Sequence, residues 1–379
     1  MRILFWSELY WPHIGGAELF GAQLISHLQR RGHEFMVITS KHASDLRDQD
    51  HDKGVSIYRF PFRKALDDAG IKMFPCIVSE VLKAQTRFNP DAVFINGISP
   101  STFFHLMTKR VQPRPVIVRV NQEVLCGEKR GDATITGKVL SAADWVTCVS
   151  TPLLAQVRRL VPEISIRSSV IRNGLEYPEI TSKPLPFEAP VLLCLGRLVR
   201  QKGFDLALAA FASICERFPR LRLVVAGDGP ERAGMERQIA ALGLFNRVEF
   251  RGWVAPENIF NLINTATVVL MPSRLEGLPS VALQAGIMAR PVVATPIGGL
   301  SEIVVHQQTG LLMSPEDHVG LAEAIVFLLE HPEAAVQMGQ AFRDRVKDMF
   351  SWQQCVDAYD ALFRQLAAAR VVESRVPVP

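Results

Sequence analysis

Val191-Leu192-Leu193-Cys194-Leu195-Gly196-Arg197-Leu198-Val199-Arg200-Gln201-Lys202-Gly203 is the stretch on which the architecture turns. Five apolar residues in a row fit a strand buried on both faces, which belongs in a parallel sheet covered by helices. The glycine-bounded basic loop that follows opens into a helical pattern. Just before it, residues 177–190 hold four prolines in fourteen positions, so they form neither a regular helix nor a central strand. We read that break as an interdomain linker and Val191 as the start of a second α/β domain.

Before the break the same rhythm runs from the N-terminus. Residues 3–6 read as a buried strand and 7–16 as a loop. Leu19, Phe20, Leu24, Ile25 and Leu28 then recur at helical spacing, with Gly32 placed as a C-cap. Further strands are expected at 35–38, 55–60, 92–95, 116–120, 146–149 and 170–171. After the break they are expected at 191–195, 221–226, 248–250, 268–271, 292–294 and 311–313. Helices are expected at 318–329, after Pro332 and at 352–366, with a frayed tail from Val371. The fold class is therefore α/β, with two Rossmann-like doubly wound domains. In such sheets ligands bind at the carboxyl ends of strands, and two facing domains leave a cleft for a small molecule.

Composition agrees with a folded two-domain chain: 379 residues, 48% hydrophobic and 21% charged. The net charge of +4 is too small to imply nucleic-acid binding, and no nucleic-acid partner is expected. It is unevenly spread. Residues 1–180 carry 23 basic and 18 acidic side chains (net +5), and residues 181–379 carry 19 and 20 (net −1). Cys76, Cys126, Cys148, Cys194, Cys215 and Cys355 are scattered without a CxxC pair, which suggests neither zinc nor a disulfide framework and fits reduced thiols. The opening apolar run is too short for a signal peptide, and no run approaches the ~18 residues of a membrane span. A cytoplasmic location is expected.

Chemistry-bearing residues gather where strands end. Gly15-Gly16-Ala17-Glu18 leads from the first strand into the first helix, where glycine lets a ligand approach the backbone. It lacks the third glycine of a dinucleotide fingerprint, which disfavours a nicotinamide dehydrogenase. Arg197 and Lys202, five positions apart after Gly196, fit a diphosphate clamp or a solvated basic loop. Gly227-Asp228-Gly229-Pro230 fits a nucleotide-bearing turn or a plain one. In Ser273-Arg274-Leu275-Glu276-Gly277-Leu278-Pro279-Ser280, Glu276 is placed to accept bonds from sugar hydroxyls. The amides of Gly277 and Leu278, with the helix starting near Ser280, could face a phosphate. Gln284 follows eight positions after Glu276, and Gly298-Gly299 closes another strand end. Nearly every strand end in the second half carries a glycine, a cation or a carboxylate, too coordinated a set to be independent turns.

In this order the motifs resemble those of the retaining family-four glycosyltransferases of the GT-B fold. The resemblance runs from Gly15-Gly16-Ala17-Glu18 through Arg31-Gly32-His33-Glu34, Ala143-Asp144, Ser150 and Asn173-Gly174. It continues through Gly196-Arg197, Lys202-Gly203, Gly227-Asp228-Gly229-Pro230, Phe250-Arg251-Gly252 and Glu276-Gly277-Leu278-Pro279-Ser280 to Gly310-Leu311-Leu312. It implies an acceptor-binding domain (1–180), a donor-binding domain (181–350) and a C-terminal helix and tail (351–379) that crosses back to the first domain. It implies transfer of a sugar, most often a hexose, from a nucleotide-diphosphate sugar to a polysaccharide, lipid-linked or small-molecule acceptor in cell-envelope assembly. The anomeric configuration is retained, and no metal or other cofactor is needed.

By the same resemblance, Arg197, Lys202 and Glu276 are the catalytic set. Gly15 and Gly16 close over the phosphates, while Gly196, Gly227, Asp228, Gly229, Arg251, Gly277, Leu278 and Gln284 bind the donor. Asn121, Glu123 and Glu18 are the acceptor candidates.

Two positions depart from the family. Gln284 stands where a second glutamate usually binds ribose, so weaker ribose binding is expected. Asn121 stands where relatives place a histidine, and an amide cannot shuttle a proton at neutral pH. These departures motivate an alternative, a catalytically degenerate GT-B protein that binds nucleotide sugar as a partner subunit.

Asp48-Gln49-Asp50 imitates a metal-binding DxD but lies in a charge run, which reads as a solvated loop. Lys109, Arg110 and Arg114, in the basic half, suggest a peripheral membrane contact or an anionic acceptor.

Overall fold

A computed structural model describes residues 1–13, 15–123 and 134–373. It divides into two compact units, Met1–Arg172 with Gln353–Pro379, and Asn173–Trp352. Cys126 and the tail beyond Glu373 lie outside the described residues.

In the first unit, β1 (Arg2–Ser7), β2 (Glu34–Ser40), β3 (Gln49–Asp52), β4 (Val55–Phe60), β5 (Ala92–Asn96), β6 (Val116–Val120), β7 (Trp145–Cys148) and β8 (Ser168–Val170) share one sheet. Its order is β3-β4-β2-β1-β5-β6-β7-β8. β1 lies at the centre, with Ile3 opposite Phe35 on one side and Ala92 on the other, both pairings parallel. Ile3, Leu4, Phe5 and Trp6 are fully buried, as a parallel strand covered on both faces requires. The helix Gly16–Gln29 buries Phe20, Leu24, Ile25 and Leu28 of the expected stripe, while Leu19 stays exposed on its flank.

One expectation fails at the sheet edge. The charged run at Asp48–Asp50 is not a solvated loop. Gln49–Asp52 forms β3, antiparallel to β4, and Asp50 Oδ2 accepts from the buried Arg59 at 3.2 Å. A short, charged edge strand is the kind that resists pairing with another chain, and its polarity hid it from a search for apolar runs.

The C-terminal helix Trp352–Glu373 runs past the expected end at 366, and from Gln353 onward it belongs to the first unit. Tyr359 is fully buried, edge-on to Phe94 at 5.3 Å, with Phe363 packed on the same ring at 5.9 Å. The Tyr359 hydroxyl lies 3.3 Å from Thr147 Oγ1. The buried Arg119 guanidinium hydrogen-bonds Tyr359, lies 3.8 Å over the Phe20 ring and donates to Asn96 Oδ1 at 2.7 Å. At the rim of this contact His33 Nε2 meets Asp360 Oδ1 at 2.8 Å, and Arg31 donates to Asp357 at 2.6 Å.

The second unit holds β9 (Val191–Leu195), β10 (Arg222–Ala226), β11 (Val248–Gly252), β12 (Val268–Met271), β13 (Val292–Ala294) and β14 (Gly310–Leu312). They run parallel in the order β11-β10-β9-β12-β13-β14. Counted from β9 this is 3-2-1-4-5-6, the doubly wound order whose direction of winding reverses between the first and fourth strands.

The proline-rich segment is not a free linker. The Lys183 amide donates to Asn264 Oδ1 at 3.0 Å, and Arg290 donates to the Lys183 carbonyl at 2.8 Å. Leu185 and Phe187 pack on the second unit's core. The chain passes between units at Arg172–Asn173 and Trp352–Gln353. Prolines exclude regular structure but not packing.

Cys148, Cys194, Cys215 and Cys355 are buried and outside any disulfide, while Cys76 is exposed. Burial pushes the Cys148 thiol up to about 12, so it stays protonated and unreactive. No helix among the described residues is long and apolar enough to cross a membrane.

Because Tyr359 fills the centre of the C-terminal helix contact, Tyr359→Ala should destabilise the first unit by about 3–5 kcal/mol, the usual range for a buried aromatic. Tyr359→Phe, which removes only the hydroxyl, should cost about 1 kcal/mol. Denaturant melts of the full chain measure both, and equal losses would show that ring packing does not anchor the helix.

Candidate active site

The switch point of the second sheet lies between β9 and β12, and the loops after these two strands carry its charged side chains. The loop after β9 is stitched to its neighbours by backbone bonds: Gly196 N to Ala226 O (2.9 Å), Leu198 N to Asp228 O (2.9 Å) and Gly227 N to Gly252 O (2.7 Å). Gly227 has φ +136°, and a Cβ there would overlap the Gly196 carbonyl. The turn Gly227-Asp228-Gly229 therefore fixes the path of the β9 loop, which is a packing role beside any ligand role.

Lys202 ends a single turn, Arg200–Lys202, closed by Gly203 in the left-handed region at φ +65°. A Cβ on Gly203 would strike the Pro272 carbonyl, so glycine alone lets this turn settle on the end of β12. The result places Lys202 Nζ 2.7 Å from Glu276 Oε1.

Glu276 is 6% exposed, and a buried carboxylate needs such a partner. Its Oε1 also accepts from Ser273 Oγ at 2.8 Å, and the Ser273 carbonyl accepts from Thr295 Oγ1 at 2.5 Å. Behind them Gly299 N donates to the Gly277 carbonyl at 2.6 Å. Both side-chain bonds to Glu276 fall on Oε1, which leaves Oε2 for another donor.

Gly277 and Leu278 are buried between Glu276 and the helix Ser280–Ile287, whose N-terminus has no side-chain cap. Gln284 lies in that helix, and its Oε1 is buried without a hydrogen-bond partner. An orphaned acceptor costs about 1–3 kcal/mol, so a site that leaves one open is suited to a ligand hydroxyl. Arg197 is exposed at the end of β9 and makes no side-chain hydrogen bond among the described residues. Asp228 is exposed and caps its own turn, with Oδ1 accepting from Gly229 N at 2.8 Å. Arg251 lies on the edge strand β11, where it pairs with Glu249, and no contact joins it to Lys202 or Glu276.

In the first unit the corresponding switch point lies between β1 and β5. Gly15 precedes the helix Gly16–Gln29, and the Glu18 carboxylate folds back over it, where a Cβ on Gly15 would collide. The Ala17 carbonyl accepts from Asn96 Nδ2 at 3.0 Å, and Asn96 in turn accepts from Arg119. Asn121, past the end of β6, rests on Gly97, whose φ of +91° brings the backbone close to the amide. Glu123 follows, half-buried, with burial raising its carboxyl pKa. Thus Gly15, Gly16, Glu18, Asn121 and Glu123 follow the carboxyl ends of β1 and β6, flanking β5.

Sequence reasoning assigned no role to Ser273, Thr295, Asn96 or Arg119; the last three bond partners 22 or more residues away. The one available signal was their position at strand ends.

Two family models match the chain in tandem, Glycosyltransferase Family 4 over residues 14–179 and Glycosyl transferases group 1 over residues 178–345. Glycogen synthase of Mycobacterium tuberculosis is 31% identical over 245 residues, 64% of this chain and 56% of that protein, so the chain spans little more than half of that relative. The phosphatidylinositol N-acetylglucosaminyltransferase gpi3 subunit of Schizosaccharomyces pombe is 26% identical over 375 residues, 96% of this chain and 80% of that protein. Among solved structures, Anabaena HepE in complex with UDP and glucose superposes with a TM-score of 0.76 at 20% identity, covering 96% of this chain and 99% of that one. Two parallel doubly wound sheets, the strand-end motifs in family order and two adjoining family models agree: the chain belongs to the family-four glycosyltransferases and has the GT-B fold.

Proposed function

We propose that this protein is a retaining, metal-independent glycosyltransferase that moves a hexose from a nucleotide-diphosphate sugar to a carbohydrate or lipid-linked acceptor. The observation that carries the reading is the Lys202–Glu276 pair at the β9/β12 switch point, with Glu276 Oε2 and Gln284 Oε1 both open to hydroxyl donors. Lys202 and the exposed Arg197 neutralise the diphosphate as it leaves. Glu276 holds the sugar through Oε2, and Gln284 takes a ribose hydroxyl.

In the reaction the bond from the anomeric carbon to the diphosphate oxygen breaks, and a bond to the acceptor oxygen forms on the same face. The acceptor proton passes to the departing phosphate oxygen, whose charge Arg197 and Lys202 stabilise, so no protein base is required. The first unit takes the acceptor, with Asn121, Glu123 and Glu18 as its contacts. The net +5 of residues 1–180 favours an anionic or lipid-linked acceptor. With exposed Val111 beside Lys109 and Arg110, it also supports work at the cytoplasmic face of a membrane. The gpi3 subunit similarity favours a second reading, a partner subunit that binds the donor without transferring it.

Four outcomes are expected. The chain binds at least one of the UDP-, GDP- or ADP-sugars and hydrolyses it slowly, and a panel that shows no binding at millimolar concentration would overturn the reading. Arg197→Ala and Lys202→Ala each lower turnover by about 100-fold or more, as loss of one charge-stabilising contact does. Sugar transfer that disappears in Glu276→Ala excludes the partner-subunit reading. Gln284→Glu tightens donor binding by about 3–10-fold through a charged acceptor for ribose, measured by titration calorimetry. Unchanged affinity would remove Gln284 from the ribose contact.

A further inference from the structure

Arg274 stands between Ser273 and Glu276 in the loop after β12, and its side chain does not face the Lys202–Glu276 pair. All five of its N–H groups are used. Nη1 and Nη2 grip Asp205 Oδ1 and Oδ2 at 2.7 and 2.8 Å, while Nε and Nη2 grip Glu316 Oε1 and Oε2 at 2.5 and 2.8 Å. Nη1 also donates to the Arg200 carbonyl at 2.9 Å, and the Arg274 amide donates to the Gln201 carbonyl at 2.7 Å. With every donor committed, Arg274 has none left for a ligand.

These bonds join three segments. Arg200, Gln201 and Asp205 bracket Lys202 on both sides, Arg274 lies two residues before Glu276, and Glu316 follows β14. Glu316 is held at φ +60°, a left-handed conformation that a glutamate adopts only at some cost. Burial alone would raise the Asp205 carboxyl, but the Arg274 bonds outweigh it and hold it below the usual range. The same guanidinium lowers the exposed Glu316 carboxyl. Both partners therefore stay ionised at neutral pH.

Asp205 and Glu316 are 48% and 58% exposed, and pairs so exposed add little to stability. What two forks on one planar guanidinium do supply is fixed geometry. The segments they fix are those that bear Lys202 and Glu276.

We propose that Arg274 is a positioning residue for the donor's diphosphate. By locking the β9 loop to the β12 loop, it sets where the Lys202 ammonium stands and so sets diphosphate affinity without touching the ligand. The proposal rests on the donor-site reading above. Its signature is selective, because base and ribose contacts do not run through Lys202. Loss of Arg274 should weaken nucleoside diphosphate binding and spare the nucleoside monophosphate.

The test is calorimetric titration of the full chain with UDP and UMP, GDP and GMP, or ADP and AMP, whichever pair the wild type binds. Arg274→Lys keeps the charge and loses the forks. It should bind the diphosphate about tenfold more weakly and the monophosphate within about twofold, since a lysine cannot replace a bidentate guanidinium. Glu316→Gln, at an exposed position that folding tolerates, removes one fork. It should lose about threefold for the diphosphate alone.

Diphosphate binding within twofold of wild type in both variants would overturn the proposal. An equal loss for both nucleotides would also overturn it, as general damage to the domain. A wild-type chain that binds no nucleotide would instead sink the donor-site reading, and this proposal with it.

Discussion

The reversal of winding between β9 and β12 governs the second unit. On one side of that line the sheet continues through β10 and β11, on the other through β13 and β14. The chain leaving β9 and the chain leaving β12 therefore depart toward opposite faces, and a crevice opens at the carboxyl edge between them. Lys202 comes from one lip and Glu276 from the other, and the 2.7 Å bond between them spans 74 residues of sequence. The glycines follow from the same constraint. Gly203 and Gly227 are needed because loops from adjacent strands converge where a Cβ would meet a carbonyl.

The pair of charges is more informative than either member. Glu276 is buried, and the Lys202 ammonium beside it is its counter-charge. Under the proposed function, a diphosphate entering this crevice would compete for the same ammonium. Arg197, which pairs with no carboxylate among the described residues, would then add positive charge. Ser273 also donates to Glu276 Oε1, a bond that would hold the carboxylate's orientation if Lys202 turned to a ligand.

Much of this architecture was legible in the sequence because parallel strands are continuous apolar runs. β1, β9 and β12 announce themselves whatever the period of the pattern. β3 did not, because an edge strand of Gln, Asp and His carries no apolar signal. The proline-rich segment was misread for a related reason: composition states which backbone forms are forbidden, while its docking depends on the side chains of Asn264 and Arg290, eighty or more residues away. At the site, Arg197, Lys202 and Glu276 stood out by motif. Arg274, Thr295 and Arg119 did not, since each acts through a partner that only the folded topology brings near. Gln284 was visible as a departure, but that its Oε1 is buried without a partner is a fact of packing.

The C-terminal helix carries a consequence for the order in which the protein is made. Tyr359 and Phe363 complete the aromatic cluster around Phe94 and Phe20, so the first unit lacks part of its core until residues 353–363 are synthesised. The second unit, Asn173–Trp352, is contiguous and needs nothing that follows it. On the ribosome the later-encoded unit can therefore finish folding first, while the earlier one waits with an exposed apolar groove. Closing that groove links residues more than 250 positions apart, such as Phe94 and Tyr359, a contact of very high sequence separation and correspondingly slow formation.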